Sequence, residues 1–256
     1  MTAARLHHDL AGPQGAPVLV LSNSLGTGTE IWDGQLAALC ERFRVLRYDH
    51  RGHGRSEVPP GPYTVAELGQ DLAALLDGLG IGRVSLCGTS LGGMVGMWLA
   101  AHAPQRVERL ALLCTSAWLG PPERWTERAA LVRSEGTAAL VETMAARWFT
   151  APFRRRERER LAAVLATLAA TPDEGYAGCC EAIAAMDLRP DLPAIAAPTV
   201  VVAALDDQAI PPPHADAIVD GIGRNARREL VSEAAHLAVL EQPERITALL
   251  LEHLGG

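Results

Sequence analysis

Strand-like and helix-like stretches alternate along this chain, and a single interruption of that alternation constrains the fold more than any other feature. Val18 to Ser22, after Pro17, is a short run rich in valine and leucine, and Arg44 to Tyr48 is a second. Both read as buried strands. Val65 to Leu79 repeats apolar residues at helical spacing, with Thr64 as an N-cap and Gly80 as a stop. Val84 to Cys87 reads as a strand, Ser90 to His102 as a helix and Val107 to Cys114 as a further strand. That order implies a mostly parallel sheet, doubly wound, with helices on both faces. From Leu119 to Leu188 no strand-like run occurs, only arginine-, alanine- and leucine-rich helical segments broken at Gly136, Pro152 and Pro172. The alternation then resumes with a strand over Pro198 to Ala204 and a helix after Pro211-Pro212-Pro213. A strand over Arg227 to Val231 and a helix over Pro243 to His253 complete it. The inserted block, about seventy residues and poor in Gly, Ser and Pro, reads as a helical cap rather than a linker. The expected organisation is one α/β domain with its core in 1–118 and 191–256 and its cap in 119–190.

Gly88-Thr89-Ser90-Leu91-Gly92 falls between a predicted strand and a predicted helix. A lone G-x-S-x-G is weak, but at that junction it resembles the nucleophile elbow of the α/β-hydrolase fold, whose sharp turn lifts the serine hydroxyl clear of the sheet. Small neighbours are needed because the backbone passes close by. The alternative is that Ser90 merely caps its helix. A neutral serine needs a base, and the base needs an orienting acid. In this fold the chain order is Ser, acid, His, with the acid and base after late strands. Asp206-Asp207 and His236 occupy those places. Asp207 is the expected acid because it stands four residues before Pro211, leaving Asp206 as a turn residue. His214, after the prolines, is the rival to His236. The expected catalytic residues are therefore Ser90, Asp207 and His236. The oxyanion donors expected are the amides of Leu91 and Leu25, with Ser24 beside it, in the loop Ser22-Asn23-Ser24-Leu25-Gly26-Thr27. Asn23-Ser24 stands where most such hydrolases carry His-Gly.

Charge and composition close off other chemistries. The chain of 256 residues has a formal net charge of −7, and all 23 of its cations are arginine. No basic face suits nucleic acid, and no apolar stretch with clean flanks suits a membrane. Without lysine, Schiff-base chemistry, pyridoxal attachment and a P-loop are excluded. The run from Arg154 to Arg160 alternates with Glu157 and Glu159 and reads as a solvated helix face. The five cysteines lack metal-ligand spacing, and Cys87 and Cys114 read as small buried hydrophobes. The N-terminal residues lack the pattern of a signal peptide, so a cytoplasmic location is expected.

Several segments together resemble the 3-oxoadipate enol-lactonases of the α/β-hydrolase superfamily. They are Ser22 to Thr27 with Trp32-Asp33, Tyr48 to Gly54, and Gly88 to Gly93. Two lie in the cap: Arg147-Trp148-Phe149-Thr150, and Gly175-Tyr176 through Cys180-Glu181-Ala182-Ile183 to Asp187-Leu188-Arg189-Pro190. The resemblance implies a helical cap inserted after the sixth strand, and no cofactor or metal. It also implies hydrolysis of a five-membered enol-lactone carrying a carboxymethyl arm. The partner implied is a small carboxylated lactone. Its carboxylate calls for an arginine, since that is the cation available, and guanidinium binds carboxylate in bidentate fashion. Arg124, Arg128, Arg133 and Arg147 are the candidates. Arg128, one helical turn from Trp125, is preferred, with Trp125 and Trp148 as apolar walls. Open alternatives keep the serine chemistry with a general carboxylester or another small lactone. Others change the reaction to cofactor-free haloperoxidase, perhydrolase or carbon–carbon hydrolysis, or make the chain an inactive binding member. The oligomeric state is not legible.

Overall fold

A computed structural model describes residues 3–255. Seven strands form one sheet: β1 (His8–Ala11), β2 (Val18–Ser22), β3 (Arg44–Tyr48), β4 (Val84–Thr89), β5 (Val107–Leu113), β6 (Thr199–Ala204) and β7 (Ala226–Val231). Their spatial order is β1-β3-β2-β4-β5-β6-β7, and every pairing is parallel except that of β1 with β3. The crossovers are α1 (Asp33–Cys40), α2 (Val65–Gly78) and α3 (Leu91–His102). Five helices follow β5: α4 (Glu123–Glu135), α5 (Val141–Trp148), α6 (Ala151–Arg156), α7 (Arg158–Ala170) and α8 (Asp173–Ala184). The chain finishes with α9 (Pro213–Ile222), α10 (Ala238–Glu241) and α11 (Pro243–Leu254).

Each element has a local cause. All six residues of β4, and all six of β6, are buried, as strands covered by helices on both faces must be. Helix α2 opens with a capping box: Thr64 Oγ1 accepts from Glu67 N at 3.1 Å, and Glu67 Oε2 accepts from Thr64 N at 2.8 Å. Helix α3 is apolar on nearly every side and accordingly buried between the sheet and α2.

The insertion follows the fifth strand, not a sixth. One antiparallel edge strand, β1, precedes the parallel series, where the expected count needed two. Within the insertion, Gly136 (φ 80°) ends α4 and Pro172 caps α8, as expected breaks. Pro152 instead begins a helix, standing at the second residue of α6 behind the N-cap Thr150. The stem is closed where Leu188 N donates to Ala117 O at 2.8 Å and Trp118 bridges Asp187. Helix α8 rests on the turn after β3 through two glycines. A Cβ on Gly175 would lie 2.0 Å from Gly52 O, so backbone touches backbone there.

Cys87, Cys114, Cys179 and Cys180 are buried free thiols, and burial raises the pKa of each. Among the described residues no cluster of His, Cys, Asp or Glu has the form of a metal site. None of their helices is long and apolar enough to cross a membrane.

Candidate active site

The carboxyl edge of the sheet meets the helical insertion at Ser90. This residue joins β4 to α3 with φ 54° and ψ −116°, a conformation non-glycine residues rarely adopt and one that costs roughly 1–3 kcal/mol. The strain is held from both sides: Ser90 N donates to Leu113 O at 2.9 Å, and Thr115 Oγ1 donates to Ser90 O at 2.7 Å. The flanking glycines are obligatory. A Cβ on Gly88 would sit 2.2 Å from Gly92 O, and one on Gly92 would sit 2.2 Å from Ser22 O.

Asp207 ends the turn after β6, and its Oδ1 accepts from Ala209 N at 2.8 Å and Ile210 N at 2.9 Å. Its other oxygen, Oδ2, lies 2.8 Å from His236 Nδ1. A carboxylate can only accept, so Nδ1 carries the proton and Nε2 is left with its lone pair. Both side chains are buried, whereas the neighbouring Asp206 is exposed. Of the two aspartates, the fold therefore brings Asp207 onto His236.

His214 takes a different place. Ser116 Oγ donates its one proton to Trp118 O at 2.7 Å, so His214 Nδ1, 2.8 Å away, donates to Ser116. The ring lines the pocket and, among the described residues, has no carboxylate within 4.0 Å. Among the remaining histidines, His102 stacks on Trp98 at 4.8 Å and His253 Nε2 bonds Leu110 O at 3.0 Å.

Ser90 and His236 line one pocket of about 290 Å³, together with Ser24 and Leu25 on the core side and Trp125, Arg128, Trp148 and Tyr176 on the cap side. A larger cleft, about 460 Å³, lies beyond the acid and base loops, and neither Ser90 nor His236 reaches it. The amides of Leu25 and Leu91 have no acceptor among the described residues, and Leu91 N–H belongs to the exposed-donor end of α3.

The loop that carries Ser24 and Leu25 is braced by residues of segments that carry the family resemblance, though nothing in the sequence assigned them this role. Asn23 Nδ2 donates to Tyr48 O at 2.7 Å, and Trp32 Nε1 donates to Asn23 Oδ1 at 2.9 Å. The Asn23 side chain thus fastens the loop to the core instead of facing the pocket. Asn23 O accepts from Gly92 N at 2.9 Å and lies 3.0 Å from His50 Nε2. His53 Nε2 accepts from Gly26 N at 3.0 Å. Both imidazoles are fully buried, and desolvation pushes them down, His50 to about 3. They are neutral braces, one donating and one accepting.

Three of the four candidate arginines converge on the pocket: Arg124, Arg128 and Arg147. Arg128 lies over the Trp125 ring, 4.6 Å from its centroid, a cation–π contact. None of the three has a carboxylate within 4.0 Å among the described residues. Burial, then the charges of Arg128 and Arg124, lower the pKa of Arg147. Arg133 faces elsewhere, held by Glu174 at 2.8 Å and Glu181 at 2.6 Å. Trp125 and Trp148 both line this pocket. Tyr176, which lies in a segment that carries the resemblance, and Met144, which the sequence does not mark, line the pocket too. Apolar residues at helical spacing carry no mark that distinguishes a pocket wall from a core.

The model of the family described by the alpha/beta hydrolase fold matches residues 17–243. The chain is 38% identical over 239 residues to a 3-oxoadipate enol-lactonase of Acinetobacter baylyi, covering 93% of this chain and 89% of that one. It is 32% identical to a putative carbamate hydrolase of Stutzerimonas stutzeri, covering 98% and 97%. Among solved structures, an enol-lactonase from Burkholderia xenovorans superimposes with a TM-score of 0.96 at 42% identity, covering 99% and 97%. The chain belongs to the α/β-hydrolase-fold family and is similar along nearly its whole length to that family's 3-oxoadipate enol-lactonases.

Proposed function

We propose that this esterase-type hydrolase opens 3-oxoadipate enol-lactone to 3-oxoadipate through an acyl-enzyme on Ser90. The observation that carries the substrate reading is the set of three pocket-lining arginines, Arg124, Arg128 and Arg147, with no carboxylate among the described residues to satisfy them. Clustered cations without counter-charges are electrostatically costly, and an anionic ligand relieves that cost. A lactone with a carboxymethyl arm supplies the anion while its ring reaches Ser90. Arg128, stacked on Trp125, is the arm's principal partner.

In this mechanism His236 Nε2 takes the Ser90 proton as Oγ attacks the lactone carbonyl. Asp207 holds the imidazole in the required tautomer and offsets its positive charge. The tetrahedral oxyanion is received by the amides of Leu25 and Leu91, each worth about 3 kcal/mol in the transition state. Collapse breaks the ring carbon–oxygen bond and expels an enolate, a good leaving group that takes up the proton held on His236 Nε2 and leaves the imidazole neutral again. A water then loses a proton to His236 and attacks the acyl carbon; His236 returns that proton to Ser90 Oγ as the acyl bond breaks, freeing Ser90 and a second carboxylate. The released enol moves its proton from oxygen to carbon to give the ketone. The sequence of steps uses side chains and amides alone.

The test is ultraviolet loss of the enol-lactone by purified protein, beside Ser90→Ala and a simple nitrophenyl ester. Rapid lactone loss that drops by at least about 10⁴-fold in Ser90→Ala, with slow ester cleavage, is expected. Cleavage of the simple ester alone would leave the serine chemistry standing and remove the substrate assignment.

A further inference from the structure

The loop carrying His236 is fixed residue by residue. Glu233 opens it with φ 55°. Gln242 Nε2 donates to Glu233 O at 3.0 Å, and Asp206 N donates to Ala234 O at 3.0 Å. Ala235 N donates to Glu241 Oε2 at 2.6 Å, His236 bonds Asp207, and Leu237 N donates to Trp148 O at 3.1 Å. Two of these ties lead into the cap. One is the direct bond to Trp148. The other passes through Glu241, whose Oε1 accepts from Thr150 N at 3.0 Å and Thr150 Oγ1 at 2.6 Å.

The same stretch of cap also touches the acid loop, since Arg147 Nη2 donates to Gln208 O at 3.3 Å, one residue beyond Asp207. Arg147 and Trp148 line the pocket as well. Arg147, Trp148 and Thr150, within four consecutive residues, therefore meet the pocket and both the Asp207 and His236 loops. Glu241 is a buried carboxylate with three donors and, among the described residues, no cation partner. Three hydrogen bonds offset part of the desolvation of such a group, so its position is tightly specified.

We propose that Thr150 and Glu241 are positioning residues that join the cap to the His236 loop, so that a carboxylate drawn to Arg147 and Arg128 aligns the base and speeds the chemical step. The proposal rests on the reading of His236 as the base. It assigns the arm's binding energy to turnover as well as to capture. A misplacement of about 1 Å at a base can cost up to about 100-fold in rate.

The experiment compares two activated esters on the purified full chain: p-nitrophenyl acetate, and mono-p-nitrophenyl succinate, which adds a free carboxylate. The variants are Thr150→Val, Thr150→Ser, Glu241→Gln and the Thr150→Val/Glu241→Gln double. For Thr150→Val, kcat on the succinate ester is expected to fall about 10-fold with KM within about 2-fold, while acetate turnover falls less than about 3-fold. Thr150→Ser restores the hydroxyl and should restore kcat. The double variant should be no slower than the slower single, the sign of one shared interaction. Equal losses on both esters would reduce the clamp to a stability element and overturn the proposal. A rise in KM at unchanged kcat, or no change, would overturn it too. Should Glu241→Gln fail to fold, the Thr150 pair decides alone. Labelling of the wild type by a fluorophosphonate checks the underlying reading separately, since an inert Ser90 would bring down the base assignment and this proposal together.

Discussion

At the scale of single residues, the pair Asp206-Asp207 shows how backbone geometry separates identical side chains. Asp207 is fixed by two amides and gives its remaining oxygen to His236, while Asp206 points outward. Asp207→Asn retains the shape but can present its amide N–H to Nδ1, favouring the wrong tautomer. A fall in kcat of about 10⁴ is expected, with Asp206→Asn within about 2-fold of the parent. Steady-state kinetics on any cleaved ester reads both, and equal effects would remove the assignment. The arginines show the limit of legibility at this scale. The positions of Ser90, Asp207 and His236 followed from motif and chain order, because the fold dictates where they stand. Which arginine enters the pocket depends on how α4, α5 and α8 rotate against one another, and no local pattern encodes that. Arg128 was legible through its spacing from Trp125, whereas Arg133 looked equivalent and is tied to Glu174 and Glu181. Arg128→Met is expected to raise KM for a carboxylated ester by about 10- to 100-fold, the loss of one charged hydrogen-bonding pair. The KM for a neutral ester should stay within about 2-fold, and a parallel rise there would place Arg128 outside the substrate contact.

At the scale of elements, burial made the core strands legible and exposure hid the rest. β4 and β6 are continuous apolar runs, as both faces are covered. β1, His8–Ala11, is an edge strand of half-exposed residues without a β-branched side chain, so it leaves no alternating or apolar signature. The place of the insertion, after the fifth strand and not a sixth, differs for another reason: the count implied by the resemblance needed two antiparallel edge strands, and one is present among the described residues. The register between insertion and core is equally silent in sequence, yet one contact dominates it. Gly52 and Gly175 pass so closely that a Cβ on Gly175 would meet Gly52 O at 2.0 Å and Gly52 Cα at 2.4 Å. Those atoms are backbone and cannot swing aside, so α8 must shift outward. Gly175→Ala is expected to destabilise the protein by about 1–3 kcal/mol, the range for overpacking. The helix preference of alanine over glycine, about 1 kcal/mol, acts in the opposite direction and is outweighed by the clash. Urea unfolding followed by circular dichroism measures the loss. An unchanged midpoint would show that the cap rides free of the turn after β3.

The whole molecule carries a pH dependence written into the braces of the loop after β2. His50 and His53 are buried and neutral in the fold, one bonded to Asn23 O and the other accepting from Gly26 N. In the unfolded chain each takes up a proton near pH 6.5, while in the folded chain desolvation holds His50 down to about 3 and lowers His53 as well. The unfolded state therefore binds more protons as pH falls, and stability is lost from about 6.5 downward toward the folded values. At pH 5 His50 alone accounts for about 2 kcal/mol of that loss. Glu241 acts in the opposite sense, because burial raises its carboxyl above the ordinary value and the folded state takes up its proton first on acidification. Its gain sets in above the ordinary carboxylate range, inside the window in which His50 still loses stability, so the two act against each other there. Stability should thus be level above pH 7 and decline as pH falls below about 6.5, less steeply where Glu241 takes up its proton. Thermal unfolding at constant ionic strength across that range measures the slope. His50→Gln keeps a donor for Asn23 O but cannot titrate, so its stability should be lower at pH 7.5 and less steep below 6.5. A slope equal to the parent's would move the acid sensitivity to another group and leave the two histidines as packing alone.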